Sequence, residues 1–268
     1  MIRLWLPLCV IGMWGIMALL SPVLPLTPNT VNLTHILVGP GQIHWLGFDE
    51  LGRPIADRLM MGTSTSFFVS ISVVALGLII GGILGISSGY LSGWVDRVFV
   101  RIVDIMLAFP GLLLAIALAG ALGPGIENVV MALVIVGWVG YARLARGQVL
   151  ALKHVEHIVA AQAMGATPWR IMWRHLLPLI TAPLIIEASF GIASAIIAEA
   201  GLSFLGLGVQ PPEASWGSMI RDGTRYMLVA PHLVIIPGLT LMAVVLAANL
   251  LGDWLRDWLD VKEPKKAK

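Results

Sequence analysis

The chain has 268 residues, 58% of them hydrophobic and 12% charged, with a mean hydropathy of +0.90. Soluble domains carry roughly 25% charged residues, so a water-facing globule is excluded and the bilayer is the natural solvent. The net charge of +2 argues against nucleic acid, and the single cysteine, Cys9, excludes an intrachain disulfide or a multi-cysteine metal site.

A span needs about 20 apolar residues, so six would take roughly 120–150 and leave no room for a separate soluble catalytic domain. The first residues have a signal-like pattern, Arg3 before an apolar run. No A-x-A cleavage site follows, and the run ends in Ser21-Pro22-Val23-Leu24-Pro25. Residues 4–24 are therefore expected to remain as span one. Residues 25–58 read as loop, rich in proline, glycine and, towards the end, charge. No charge occurs between Arg58 and Asp96, which places span two at 66–91. Span three is expected at 98–122 and span four at 128–144. Residues 145–178 are polar with a helical pattern. Span five follows at 179–204, a loop at 205–230 and span six at 231–251, before a lysine-rich tail. The ten tryptophans suit the membrane interfaces.

With the N-terminus inside, thirteen of the seventeen Lys and Arg fall on the inner side. Only Arg53, Arg58, Arg221 and Arg225 fall outside. The positive-inside rule then makes both termini and the 145–178 segment cytoplasmic. The expected fold is an all-α membrane protein of about six transmembrane helices, N-in and C-in, in one domain. Residues 1–61 hold the first span and an extracytoplasmic loop, 62–252 the core with the 145–178 loop, and 253–268 a cytoplasmic tail.

Within that loop, Ala160, Ala161, Ala163 and Met164 favour helix. Gly165 suits a left-handed helix stop. Thr167 can cap a following helix, and Pro168 suits its first turn. Pro178 is expected to block continuation into span five without a bend. The local physics is thus helix, turn, helix, with Arg170 and Arg174 four apart on one face.

Ala160-Ala161, three residues, Gly165 and then Leu177-Pro178 resemble the EAA loop of binding-protein-dependent ABC importer permeases. Val159 stands at the family's leading Glu, and His175 where many members have Ile. Flanking segments are similar to one branch of that family: Asp49-Glu50-Leu51-Gly52-Arg53, the run from Leu202 to Pro212, Ser215-Trp216-Gly217, and Asn249 to Asp257. Pro54 replaces an Asp common after Gly-Arg. The branch is the second permease subunit of dipeptide, oligopeptide and nickel importers of the bacterial inner membrane. The resemblance implies a coupling helix between spans four and five that sits in a cleft of an ATPase subunit. Ala160, Ala161, Gly165, Ala166, Pro168, Arg170 and Pro178 are the coupling residues it implies. It also implies a homologous permease partner, two cytoplasmic ABC ATPase subunits that bind ATP and Mg, and an extracytoplasmic substrate-binding protein docking near Gly206–Pro212. No cofactor is expected in this chain.

Other features are read from chemistry alone. Gly77, Gly81, Gly85 and Gly89, four apart, form a smooth helix-packing face. Gly85-Ile86-Ser87-Ser88-Gly89 matches a hydrolase string but falls inside an expected span, where no nucleophile elbow forms. Glu187 and Glu199 lie in span five, where a carboxylate usually faces a cavity or a partner. Their separation puts them about 120° apart, so they form no paired site. With Ser194 and Phe204 they are candidates for the pathway or gate. His154, Glu156 and His157 lack metal-site spacing and read as solvated helix. Asp253, Arg256, Asp257 and Asp260 are spaced to staple the inner end of span six.

No Gly-Lys-Ser or Gly-Lys-Thr exists, so the energy source lies elsewhere. The expectation is a peptide permease with no catalytic or metal residue of its own, nickel or a metal chelate being the alternative cargo. An intramembrane enzyme would need Ser87 or Glu187 as its reactive group. A self-contained transporter would usually carry more intramembrane charge.

Overall fold

The computed structural model describes residues 2–41 and 44–260. The tail beyond Asp260 lies outside the described residues, as do the side chains of Arg3 and Asp260. Among the described residues the chain is helical and has no strand, only an isolated bridge between Phe48 and Pro54.

The helices are α1 (Ile2–Leu20), α2 (Ile55–Leu91), α3 (Gly93–Leu107), α4 (Gly111–Leu122), α5 (Ile126–Leu152), α6 (Glu156–Ala163), α7 (Pro168–Ile171), α8 (Leu177–Phe204), α9 (Trp216–Thr224) and α10 (His232–Asp260). Four units are long and apolar enough to cross a bilayer: α2, α5, the continuous run Pro168–Phe204, and α10. Helices α3 and α4 are a bent pair that makes a fifth if it forms one broken span, and α1 is a shorter apolar helix.

Span three departs from the straight helix expected over 98–122. It breaks between Leu107 and Gly111, and its halves lie 86° apart. Pro110 stands at the break with ψ 124°, and the residue before a proline is driven out of the helical region. Proline acts oppositely at Pro178, where a block was expected. There the chain continues through a π-helical turn, Met172–Leu176, with Leu177 N–H bonded to Met172 O. The wider register absorbs the proline, so α7, the π turn and α8 form one rod.

Spans two and four are also longer than expected. Helix α2 starts at Ile55, behind the extended Pro54, and runs 37 residues without a proline. At 1.5 Å per residue that is about 55 Å, well beyond the roughly 30 Å hydrocarbon layer. Helix α5 carries on to Leu152 through the first part of the polar stretch. Between α2 and α3 the chain reverses at Ser92 (φ 58°) and Gly93 (φ 63°).

The α2–α5 contact is the spine of the bundle. A Cβ on Gly81 would lie 2.5 Å from Trp138 O, and one on Gly85 would collide with Ala142 O. Gly77 faces Tyr141 and Gly89 faces Val149. All four glycines thus face α5 within this chain, and backbone meets backbone there. Helix α1 is pinned by Trp14, 3% exposed, whose ring packs edge-on against Phe67 of α2 at 4.9 Å. Beside Trp14, with ring centroids 6.5 Å apart, lies buried Trp216 of α9, which donates from Nε1 to Leu59 O at 3.2 Å; α9 opens with a Ser215–Ser218 capping box.

Candidate functional site

Three zones concentrate the polar chemistry. The first is the knob formed by α6 and α7. Gly165 has φ +81° and donates to Gln162 O at 2.9 Å. Thr167 accepts from Arg170 N through its side chain, and Pro168 opens the next helix. The inner side of the knob is apolar. Ile158, Ile171, Met172 and Leu176 are buried with Ala145 and Val149 of α5 and Ile86 of α2. Ala161 points inward at 4% exposure, whereas Met164 (82%) and Trp169 (67%) face out. Ala160, Gly165, Pro168, Arg170, Arg174 and Pro178 are also exposed, and Ala166 is half-buried. Lys153, just before α6, donates to Ser92 Oγ at 2.7 Å, tying the knob to the α2–α3 reversal.

The second zone is a cavity of about 280 Å³ among α2, α4, α5 and α8. Glu187 and Ser194 line it beside Val74, Ala115 and Tyr141. Ser194 Oγ donates to Phe190 O at 3.1 Å. The other two pathway candidates lie elsewhere. Glu199 is 1% exposed and accepts from Ser203 Oγ at 2.7 Å and Ser66 Oγ at 3.2 Å. It is a buried tie between α2 and α8. Phe204, 42% exposed, ends α8 outside the cavity. Tyr141 was missed in the sequence. A lone hydroxyl in an aliphatic span between Gly137, Gly140 and Ala145 is the signal that marks it.

The third zone caps the opposite end. Asp49 Oδ1 accepts from the backbone of Leu51 (2.9 Å) and Arg53 (2.8 Å), and Oδ2 from Arg53 Nε (2.6 Å). Arg53 Nη2 also reaches Glu50 at 3.0 Å. Burial, with Asp49 beside it, pushes the Glu50 pKa above its ordinary 4.5, against the pull of its backbone hydrogen bond and Arg53. Glu50, Leu51, Arg53 and Arg58, with residues between Val209 and Tyr226, line a cavity of about 300 Å³. Gly206 turns the chain with φ +86°, and the Pro211–Pro212 peptide is cis. On α10, Arg256 reaches Asp253 at 3.9 Å and lies 5.0 Å over the Phe190 ring.

A bundle of apolar helices around a cavity with sparse polar groups, and with polar structure at both ends, defines a multi-pass membrane transport protein. Residues 77–263 match the family described as binding-protein-dependent transport system inner membrane component, and the chain belongs to that family. It is a multi-pass inner-membrane permease subunit.

It is 47% identical over 234 residues to the glutathione transport system permease protein GsiD of Pectobacterium atrosepticum, covering 87% of this chain and 78% of that one. It is 41% identical to the dipeptide transport system permease protein DppC of Alkalihalophilus pseudofirmus, covering 95% and 84%. It is 42% identical to the probable D,D-dipeptide transport system permease protein DdpC of Escherichia coli, covering 88% and 79%. Among solved structures it is similar to a chain of the MetNI methionine ABC transporter in an inward-facing conformation. The TM-score is 0.61 at 19% identity, over 76% of this chain and 97% of that one, a likeness of fold.

Proposed function

We propose that this chain forms half of the translocation pathway of an ATP-driven peptide importer. Three relatives that are 41–47% identical carry peptide cargo in their names: glutathione, dipeptide and D,D-dipeptide. That agreement favours peptide over nickel. The observation that carries the mechanism is the continuous rod Pro168–Phe204. Its inner end belongs to the knob, and its middle presents Glu187 and Ser194 to the cavity. A push on α7 is therefore passed along one continuous helical run to the cavity wall. The excess of Lys and Arg favours a cytoplasmic knob. Exposed Met164 and Trp169 offer an apolar surface for another protein to grip.

In this reading two cytoplasmic ATPase subunits bind ATP and Mg, and their closure moves the knob. A second, homologous permease subunit completes the pathway. A binding protein delivers peptide to the outer end, where the polar shell around Asp49, Arg53 and Arg58 lies. The cavity then opens alternately to either side.

The test is reconstitution of the whole complex in liposomes with its binding protein. ATP-dependent uptake of labelled dipeptide or glutathione, exceeding uptake of nickel, is the expected result. Uptake of nickel alone, or transport that needs no ATPase subunit, overturns the proposal.

A further inference from the structure

Glu187 presents a chemical problem that the rest of the chain does not solve. Its carboxylate lines a cavity inside the span, and Oε1 sits 3.6 Å from where a Cβ on Gly140 would stand. It has no hydrogen-bond or ion-pair partner among the described residues. No Lys, Arg or His lines the same cavity. A carboxylate at this depth costs roughly 2.5 kcal/mol or more unless water or a cation meets it. Glu187 is exposed in the isolated chain, so water, a partner subunit or a ligand can meet it.

The neighbouring side chains indicate its shape. Gly191, Ser194 and Ala198 follow Glu187 at i+4, i+7 and i+11, on one face of α8, and all line the cavity. Small side chains there keep the groove open, except at Gly191, where the Tyr141 hydroxyl takes the space. From Glu187 to Ala198 it rises about 16 Å at 1.5 Å per residue, the length of about five extended residues. The volume of about 280 Å³ suits a small ligand rather than a folded segment.

Tyr141 supplies a second, independent sign. It is 6% exposed, lines the groove, and its hydroxyl rests where a Cβ on Gly191 would stand. That hydroxyl has no hydrogen-bond partner among the described residues. The ring is buried while the hydroxyl oxygen keeps accessible surface, so a ligand atom can reach it. Ser194 spends its proton on Phe190 O and keeps its lone pairs free to accept.

We propose that Glu187 and Tyr141 form a transit site for a protonated primary amine, the N-terminal ammonium of a short peptide. The ammonium sits against the Glu187 carboxylate. Tyr141 donates to the first carbonyl, and Ser194 accepts from a peptide N–H further along the groove. The side chains of the peptide meet mainly apolar walls, so the site reads the terminus and tolerates varied sequence. This inference rests on the peptide-importer reading above and adds a named recognition group to it.

The test uses the complete complex with its binding protein, and L-alanyl-L-alanine and its N-acetyl derivative as probes. Glu187→Gln is expected to lower dialanine uptake about tenfold or more. Glu187→Asp restores part of the uptake. A second readout does not depend on uptake. With Cys9→Ser, a cysteine placed by Ala198→Cys is labelled by a thiol reagent. Dialanine protects it, N-acetyl-dialanine does not, and Glu187→Gln abolishes the protection. Equal protection by both probes, or Glu187→Gln uptake within about twofold of wild type, overturns the site. So does loss of the permease partner from purified Glu187→Gln, which would assign the carboxylate to the subunit interface. Wild-type complex that transports no peptide defeats the importer reading instead, and the protection experiment still decides the site.

Discussion

Arg146 of α5 clasps Asp96 of α3 through two parallel hydrogen bonds, Nε to Oδ1 at 2.6 Å and Nη2 to Oδ2 at 2.8 Å. Ser88 of α2 donates to the same Oδ1 at 2.5 Å. One carboxylate therefore ties three helices at the knob end of the bundle. The pair is partly exposed, 28% for Arg146 and 21% for Asp96. Exposed ion pairs contribute about 0.2–1 kcal/mol, and hydrogen bonds to charged groups about 1.5–3. A double-mutant cycle on Asp96→Ala and Arg146→Ala should return a coupling near 1–2 kcal/mol. Thermal unfolding in detergent measures it. A coupling of zero would mean that the bidentate geometry contributes nothing to stability.

The glycine face of α2 makes a sharper prediction, because two neighbouring glycines differ. A Cβ on Gly85 would collide with Ala142 O, whereas a Cβ on Gly82 meets nothing within 4 Å. Gly85→Ala must push α5 away, a strain of about 1–3 kcal/mol. Gly82→Ala should be neutral or slightly stabilising, since alanine favours helix by about 1 kcal/mol over glycine. The melting temperature of Gly85→Ala should fall, and that of Gly82→Ala should hold or rise. Equal shifts would refute the close backbone approach.

Glu199 should behave as a structural residue. Replacing it by alanine strands the hydroxyls of Ser66 and Ser203 in a site 1% exposed and leaves a void. The expected destabilisation is about 2–4 kcal/mol. Glu199→Gln keeps the shape and an acceptor and should lose less than half of that. The readout is folded yield and melting temperature. A Glu199→Ala protein that folds normally would remove the tie between α2 and α8.

The membrane class, the helical fold and the local build of the knob are legible in the sequence, because each rests on short-range rules. Apolar run length marks the spans, and glycine at a left-handed position marks the turn at Gly165. Proline is where sequence reading divides. Pro110 breaks a span expected to be straight, and Pro178 passes through a rod expected to bend. The residue itself is the same in both places. What differs is whether the preceding backbone finds another bonding register, as the π turn provides. Side-chain partners across helices are not legible either. The Asp96–Arg146 pair joins residues fifty apart. The different fates of Glu187, in the cavity, and Glu199, in the core, depend on what α2 brings to each. Sequence spacing separates them by angle but does not say which angle faces Ser66.

Glu50 carries a pH signature. Its pKa lies above 4.5 in the folded chain, mainly through burial and then through Asp49. Folding thus disfavours the ionised form. The penalty is absent below about pH 4.5, sets in as the unfolded carboxyl ionises, and is complete once the pH exceeds the raised folded value. Glu50→Gln removes the charge while its oxygen still accepts from Arg53. The variant should melt higher than wild type at about pH 7.5, and the gap should close at about pH 4. A gap that widens on acidification would reverse the sign of the shift.

Gly165 allows the conformational part of the knob to be separated from its packing. A Cβ there would meet nothing within 4 Å, so any effect of substitution comes from the backbone. At φ +81° an ordinary L-residue is disfavoured by about 1–2 kcal/mol, and asparagine by less. Proline is worse in kind, because it fixes φ near −65° and deletes the N–H that bonds Gln162 O. If the knob transmits ATP-driven movement as proposed, transport should fall in the order Gly, Asn, Ala, Pro. Gly165→Pro should leave the protein inserted in the membrane but with transport abolished and ATP hydrolysis no longer coupled to it. Uptake and ATPase assays on the reconstituted complex measure both quantities. Wild-type transport by Gly165→Pro would show that the turn geometry is irrelevant to coupling. Loss of insertion in that variant would mean that the turn serves folding, and the graded Asn and Ala variants would then decide whether it also serves transport.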